Sequence, residues 1–186
     1  MARIRALFVQ GCLEQAVAEG PKVIAAVESR LGPQRLERAR DRMRLAWLDV
    51  EDLWDVGRGV RDASDHRGEK AFWKATLRTQ LDSGLLAPIR TAAFAIFGRT
   101  PLALARWTPK AWVQLFPDGP MMDFVDGEEG HAVMRLTGWQ WDDEMLDIFR
   151  TALHGVFNGF FELTEQTGTV GSVLLDNGAQ FELDWG

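Results

Sequence analysis

Close to Pro120 the spacing of apolar side chains changes from helical to alternating, and this change restricts the fold more than any other feature of the chain. Ahead of it, Pro and Gly divide the sequence into helical stretches. Gly20-Pro21 and Gly32-Pro33 each close one helix and open the next, because Pro in a first helical turn gives up no N–H that the helix needs. Gln34 to Trp47 is Arg-rich and helical in propensity, with Leu36, Met43 and Trp47 available for one face. Asp49 and Asp52 fit the cap and first turn of a short helix to Val56. Ser64 fits the cap of a longer one through Leu81, which turns Phe72, Trp73 and Leu77 inward. Ala87-Pro88 opens an apolar helix to Phe97. Thr100-Pro101 and Thr108-Pro109 each place a capping hydroxyl before Pro and predict two short abutting helices that end at Phe116-Pro117.

Beyond Pro120, Met122 and Phe124 alternate with Met121, Asp123 and Val125, a strand pattern. A turn at residues 127–130 leads into a return strand from His131 to Trp139. Asp142, Asp143 and Glu144 supply the acidic first turn of a helix to about Leu163. A second hairpin pairs Thr169 to Leu175 with Ala179 to Trp185 around Asp176-Asn177-Gly178, where Asn-Gly suits a type I′ turn. The expected fold class is α+β: an N-terminal helical layer over residues 1–117, then a ββαββ antiparallel sheet with one covering helix over 121–186, in a single domain. Hydrophobic residues at 46% are enough to build such a core.

The lone Cys12 excludes an intramolecular disulfide and a four-thiolate metal site, which fits a reducing, cytoplasmic setting. The first twenty residues lack the apolar core and small-residue cleavage site of a secretory leader, and no apolar run approaches the ~18 residues needed to cross a bilayer. No membrane insertion is expected. The net charge of −6 hides a strong asymmetry: residues 71–113 carry six basic side chains and one acidic, whereas residues 114–186 carry two basic and fourteen acidic. Either the two segments pack beside each other, or the acidic region attracts a basic protein partner.

Several residues invite a chemical reading. On a helical wheel, Phe149, Leu153, Val156, Phe157, Phe160 and Leu163 share one arc of the 146–163 helix, while Asp147, Thr151, His154, Asn158 and Glu162 gather on another. His154, Asn158 and Glu162, spaced by four, could meet at a metal or act as an acid–base pair, but a polar arc opposite the core is ordinarily a solvated face. Gly155 and Gly159 border that arc and permit another backbone to approach, either within the domain or from a partner; with His154 and Asn158 they form the candidate interaction surface. Eight Trp and eleven Phe with no Tyr weight the chain toward bulky apolar contacts. Trp107, Trp112, Trp139 and Trp141 are candidates for an aromatic ligand pocket, against the plainer role of core fillers. The run Arg35, Arg38, Arg40, Arg42, Arg44 is interleaved with Glu37 and Asp41 and points several ways around a helix, so no nucleic-acid partner is expected. No Gly-rich phosphate loop, HExxH or GxSxG motif is present, and His66, His131 and Cys12 lie in unrelated contexts. Neither a catalytic constellation, a metal site nor a cofactor is therefore expected.

The opening LFVQGCLEQAVAEG, the Trp54 and Phe72-Trp73 segments, IFGRTPLALARWTPKAW, the ββαββ close and the terminal FELDW resemble an uncharacterised paralogous family abundant in myxobacteria. That family is similar to the fold group of 4-vinyl-reductase-type domains, haem-NO-binding domains and transport-particle subunits. The resemblance implies a mixed α/β domain used for small-molecule sensing or assembly. In a haem-binding relative it would imply an axial His on a central helix and a Tyr-Ser-Arg propionate clamp, yet this chain has no Tyr and no His between Arg67 and Gly130, which disfavours haem. The first functional expectation is a non-enzymatic protein-interaction or scaffolding domain, with a second copy of the chain among its candidate partners. The alternative is a sensor for a small apolar ligand, and the third is a hydrolase or transferase with His154 as base.

Overall fold

In a computed structural model, which describes residues 2–82, 91, 94–95 and 98–186, the change of rhythm at Pro120 divides two layers. The helical layer comprises α1 (Ala6–Glu19), α2 (Pro21–Asp41), α3 (Val50–Ala63), α4 (His66–Asp82) and α5 (Pro101–Leu115). A four-stranded antiparallel sheet follows, of β3 (Met121–Glu128), β4 (His131–Thr137), β5 (Gly168–Leu175) and β6 (Gly178–Trp185), in the order β3-β4-β6-β5. The helix α6 (Asp143–Thr164) joins its two hairpins. The expected α+β layout, helices first and ββαββ after, is the observed one.

The local chemistry of several boundaries is visible. Gly20 and Gly32 adopt left-handed φ of 112° and 69°, so each breaks the helix ahead of a Pro, and Gly32 kinks α2 into two segments. Thr100 Oγ1 accepts the Ala103 N–H at 3.1 Å and Asp142 Oδ1 that of Met145 at 2.8 Å, the side-chain caps of α5 and α6.

Other boundaries differ from expectation. The Arg-rich helix stops at Asp41, and Trp47 belongs to a three-residue strand, β2 (Trp47–Asp49), antiparallel to β1 (Arg3–Arg5). The Arg5 guanidinium lies 3.6 Å over the Trp47 ring and holds this small ribbon together. The helix after Asp49 runs on to Ala63, well beyond Val56. Ser64 does not cap α4; its hydroxyl donates back to Val60 O, and Asp65 accepts the Gly68 N–H instead. The second Thr-Pro starts no helix, because Pro109 sits inside a continuous α5 and the Thr108 hydroxyl donates to Leu104 O. The helix expected from Pro88 to Phe97 lies largely outside the described residues. The first hairpin turns at Glu129-Gly130, with a register shift between Phe124 and Asp126. In the second hairpin Leu175 pairs with Gly178, so Asp176 and Asn177 form the turn, without positive φ. Gly178 is needed for another reason: a Cβ there would collide with the Leu136 carbonyl on β4.

The largest departure concerns α6, which is buried on two faces. One packs on the sheet, with Phe157 against Phe181 (ring centroids 5.1 Å) and Phe161 against Trp185 (6.4 Å). The other, expected to be solvated, packs on α4: Thr151, Gly155 and Gly159 are all buried there. The helical layer and the sheet are thus joined through a shared central helix.

Candidate functional site

The close approach of α4 to α6 rests on the two glycines. A Cβ on Gly155 would collide with the Lys70 carbonyl oxygen and stand 2.9 Å from Trp73 Cβ; one on Gly159 would stand 2.9 Å from Leu77 Cδ2. Their small size is therefore used within the chain, by α4. Along the seam runs a charged network. Arg61 pairs with the nearly fully buried Glu69 at 3.0 Å and with Asp147 at 3.0 Å, and Arg150 pairs with Asp147 at 2.6 Å. Burial pushes the Glu69 carboxyl up, against the opposing pull of Arg61.

His154 is half-buried in this network rather than facing an open cleft. Its Nε2 lies 3.3 Å from Lys70 Nζ, and its Nδ1 is buried without a partner. An ammonium donating to Nε2 places the ring proton on Nδ1. Burial, then the charges of Lys70, Arg150 and His66, pull its pKa down to about 4, and burial also lowers Lys70. Asn158 donates to the His154 carbonyl at 2.8 Å, and Glu162 pairs with Lys74. The three residues spaced by four are thus divided among different partners and do not converge; among the described residues no cluster of His, Cys, Asp and Glu could hold a metal.

The charged segments find each other. Lys74 pairs with Glu162 and Arg99 with Glu165, which links the basic and acidic stretches. The Arg run faces carboxylates as well: Arg35 and Arg38 both bind the fully buried Asp52, Arg40 binds Glu28, and Arg44 binds Glu14.

An apolar cavity of about 440 Å³ with room for a small ligand lies between the helical layer and α6. Its described lining comes from α1 (Phe8), α3 (Leu53), α4 (Trp73, Thr76, Leu77, Gln80, Leu81), much of α5 and the Phe149 to Phe160 stretch of α6. Carbon dominates these walls. The Thr76 hydroxyl is turned back onto Phe72 O, and the Thr108 hydroxyl onto Leu104 O. Two of the four candidate tryptophans, Trp107 and Trp112, line the cavity. Trp112 is fixed by donating Nε1 to Pro120 O at 2.6 Å and by stacking on Phe116 at 4.6 Å. Trp139 and Trp141 do not share a strand face, because β4 ends at Thr137. They pack on Trp54 at 5.6 and 5.3 Å, and Trp139 meets Phe149 at 5.3 Å, so they stiffen the wall from behind. Sequence reasoning singled out Trp107 and Trp112 for a ligand pocket but not the rest of the lining, which is drawn from helices far apart in the chain.

No family model matches this sequence, and neither does any curated protein. Solved structures do match in three dimensions. A Fe(II) unliganded H-NOX protein from K. algicida superposes with a TM-score of 0.68 at 10% identity, covering 98% of this chain and 97% of that one. The fold is that of the H-NOX domains. An H-NOX protein from S. oneidensis in its Fe(II)NO ligation state superposes with a TM-score of 0.68 at 12% identity, covering 98% and 99% of the two chains. An oxygen-binding H-NOX domain related to soluble guanylate cyclases gives 0.67 at 12%, covering 98% and 95%. The haem-NO-binding group to which the sequence is similar is thus where the fold lies. At such identities the H-NOX likeness concerns the path of the chain, and function must be argued from side chains. Among the described residues no helix of this H-NOX fold is long and apolar enough to cross a membrane.

Proposed function

We infer that this chain is a binding domain for a small apolar molecule, a sensor in the H-NOX fold. The observation that carries the reading is the cavity of about 440 Å³ walled almost wholly by carbon, a size and character suited to a small-molecule site. It favours this reading over a protein scaffold, because a concave apolar recess left empty keeps carbon in contact with water that a small ligand would cover.

The fold group implies haem, and the donor set does not fit it. The described lining contains no His, Cys, Met or Tyr. The chain has three His in all: His66 begins α4, His131 bonds Asp184 at 2.7 Å on the sheet, and His154 is held by Lys70 on the α4 side of α6. With no Tyr anywhere, the Tyr-Ser-Arg clamp cannot be formed. The ligand we infer is therefore bound by shape and apolar contact, without an axial bond.

Native mass spectrometry of gently purified protein, followed by titration with Nile red, tests this. The expected result is saturable 1:1 binding that is lost in Ala152→Phe and in Ala111→Phe, which fill the cavity from α6 and from α5, with circular dichroism unchanged. Binding that survives both fillings would place the ligand elsewhere.

A further inference from the structure

The two edges of the four-stranded sheet are built differently. A free strand edge presents unpaired N–H and C=O groups to any other strand, and proteins ordinarily blunt it with charge, a bulge or a covering element. The edge strand β3 has all three. It carries Asp123, Asp126 and Glu128, and its register shifts between Phe124 and Asp126. α5 lies along it, with Leu102 seated against Gly127 and Arg106 donating to the Gly127 carbonyl at 3.4 Å. The opposite edge, β5, has none of these. Its eight residues include no charged side chain and no Pro, and all eight pair with β6 without a shift. Among the described residues no backbone group outside β6 bonds β5. Val173 and Leu174 are each 55% exposed, and Leu175 is exposed beside them.

The register fixes what lies behind this edge. Val170 is buried against α6, so Thr169, Gly171, Val173 and Leu175 share the outer face of the sheet. Glu182 on β6 stands directly opposite Gly171. Gly171 has no positive φ, and a Cβ there would meet nothing closer than Glu182 at 3.9 Å, so neither the backbone nor packing calls for glycine. Its bareness leaves a lane from the open edge to Glu182. That exposed carboxylate accepts from the neutral amide of Gln180 at 3.3 Å and pairs with no cation among the described residues.

We propose that β5 is a docking edge for an extended basic segment of another protein, which adds to the sheet as a fifth strand. Its apolar side chains lie beside Val173 and Leu175, and a Lys or Arg opposite Gly171 reaches Glu182. The edge shares no residue with the cavity and stands apart from the ligand inferred above. A second copy of this chain fits less well, because residues 114–186 hold fourteen acidic side chains against two basic and would meet their own like charge. A basic strand draws affinity from main-chain hydrogen bonds along the edge and specificity from alternate side chains.

Fluorescence anisotropy of a labelled peptide, Val-Thr-Val-Thr-Lys-Thr-Thr, tests this on the whole chain. Antiparallel to β5, it sets its two Val and its Lys opposite Leu175, Val173 and Gly171. Saturable binding is expected, about fivefold to tenfold weaker when Glu replaces the peptide's Lys and about threefold weaker in Glu182→Gln. Val173→Lys gives β5 the charge that β3 has, and should abolish binding without moving the thermal midpoint, since the side chain is exposed. Backbone N-methylation at alternate peptide residues should abolish binding in one phase and spare it in the other, because only one set of N–H groups faces β5. No saturation by millimolar peptide, an equal effect of the two phases, or binding indifferent to Val173→Lys would overturn the proposal. So would a wild-type dimer in sedimentation that Val173→Lys dissolves, because the occupant of the edge would then be a second copy.

Discussion

Replacing Gly155 by Ala sets two effects against each other, and the structure decides which prevails. In a helix interior the change gains ~1 kcal/mol from backbone entropy. Against this, the new Cβ meets the Lys70 carbonyl oxygen and lies 2.9 Å from Trp73 Cβ, atoms fixed by the α4 backbone that no rotamer change can move. α4 must retreat along its seam with α6, and overpacking of this kind costs about 1–3 kcal/mol, here at the upper end because the obstacle is backbone. The added strain on the Arg61–Glu69 pair works in the same direction. The expected outcome is a net loss of about 2 kcal/mol. Gly159→Ala is the internal control: its Cβ meets Leu77 Cδ2 at 2.9 Å, the end of a flexible side chain, and the next contact is 3.6 Å away, so Leu77 rotates and the change stays within about 0.5 kcal/mol of neutral. Urea unfolding followed by tryptophan fluorescence measures both, with m unchanged if the mechanism is native-state crowding. Gly155→Ala that is as stable as the wild type, or two variants with equal losses, would refute the close seating of α4 on α6.

Asp52→Asn should cost about 2–3 kcal/mol in the same assay, because a fully buried carboxylate that accepts from Arg35 at 2.6 Å and Arg38 at 3.0 Å is removed from two cations that stay behind. His154 titrates at about 4 when folded and near 6.5 when unfolded, so its neutral form favours the fold above pH 6.5, and that contribution is lost as pH falls through 6.5 toward 4. Thermal melts should show His154→Gln losing less stability than the wild type over this window, by about 1–2 kcal/mol after allowance for solvent screening; parallel pH profiles would contradict it. Haemin added to the purified protein should give no shifted Soret band in the ferric or ferrous form, and a band characteristic of axial His ligation would show that a donor reaches the cavity after all.

How far the sequence discloses this structure depends on the length scale of the signal. The alternation at Met121 to Val125 and along β6, the cap at Thr100 and the acidic helix start at Asp142 to Glu144 are local, so they can be seen residue by residue. The β1–β2 ribbon is not, because three-residue strands carry too little alternation to register. The wheel of α6 misleads for a physical reason: a helix between a sheet and another helix has two buried faces, and the second is built of Thr151, Gly155 and Gly159, whose smallness looks like polarity on a hydrophobicity wheel. His154 looks accessible for the same reason. Of the cavity, Trp107 and Trp112 are legible as pocket candidates; the rest of the lining is not, because helices far apart in sequence each contribute a few ordinary core residues.

Calorimetric titration of decanol into the wild-type protein at several temperatures tests most directly whether this H-NOX fold is a site for an apolar molecule. Saturable one-to-one binding with a negative heat-capacity change, abolished in Ala152→Phe, is the predicted result. Heats that never saturate, or a binding curve the filled variant reproduces, would contradict it.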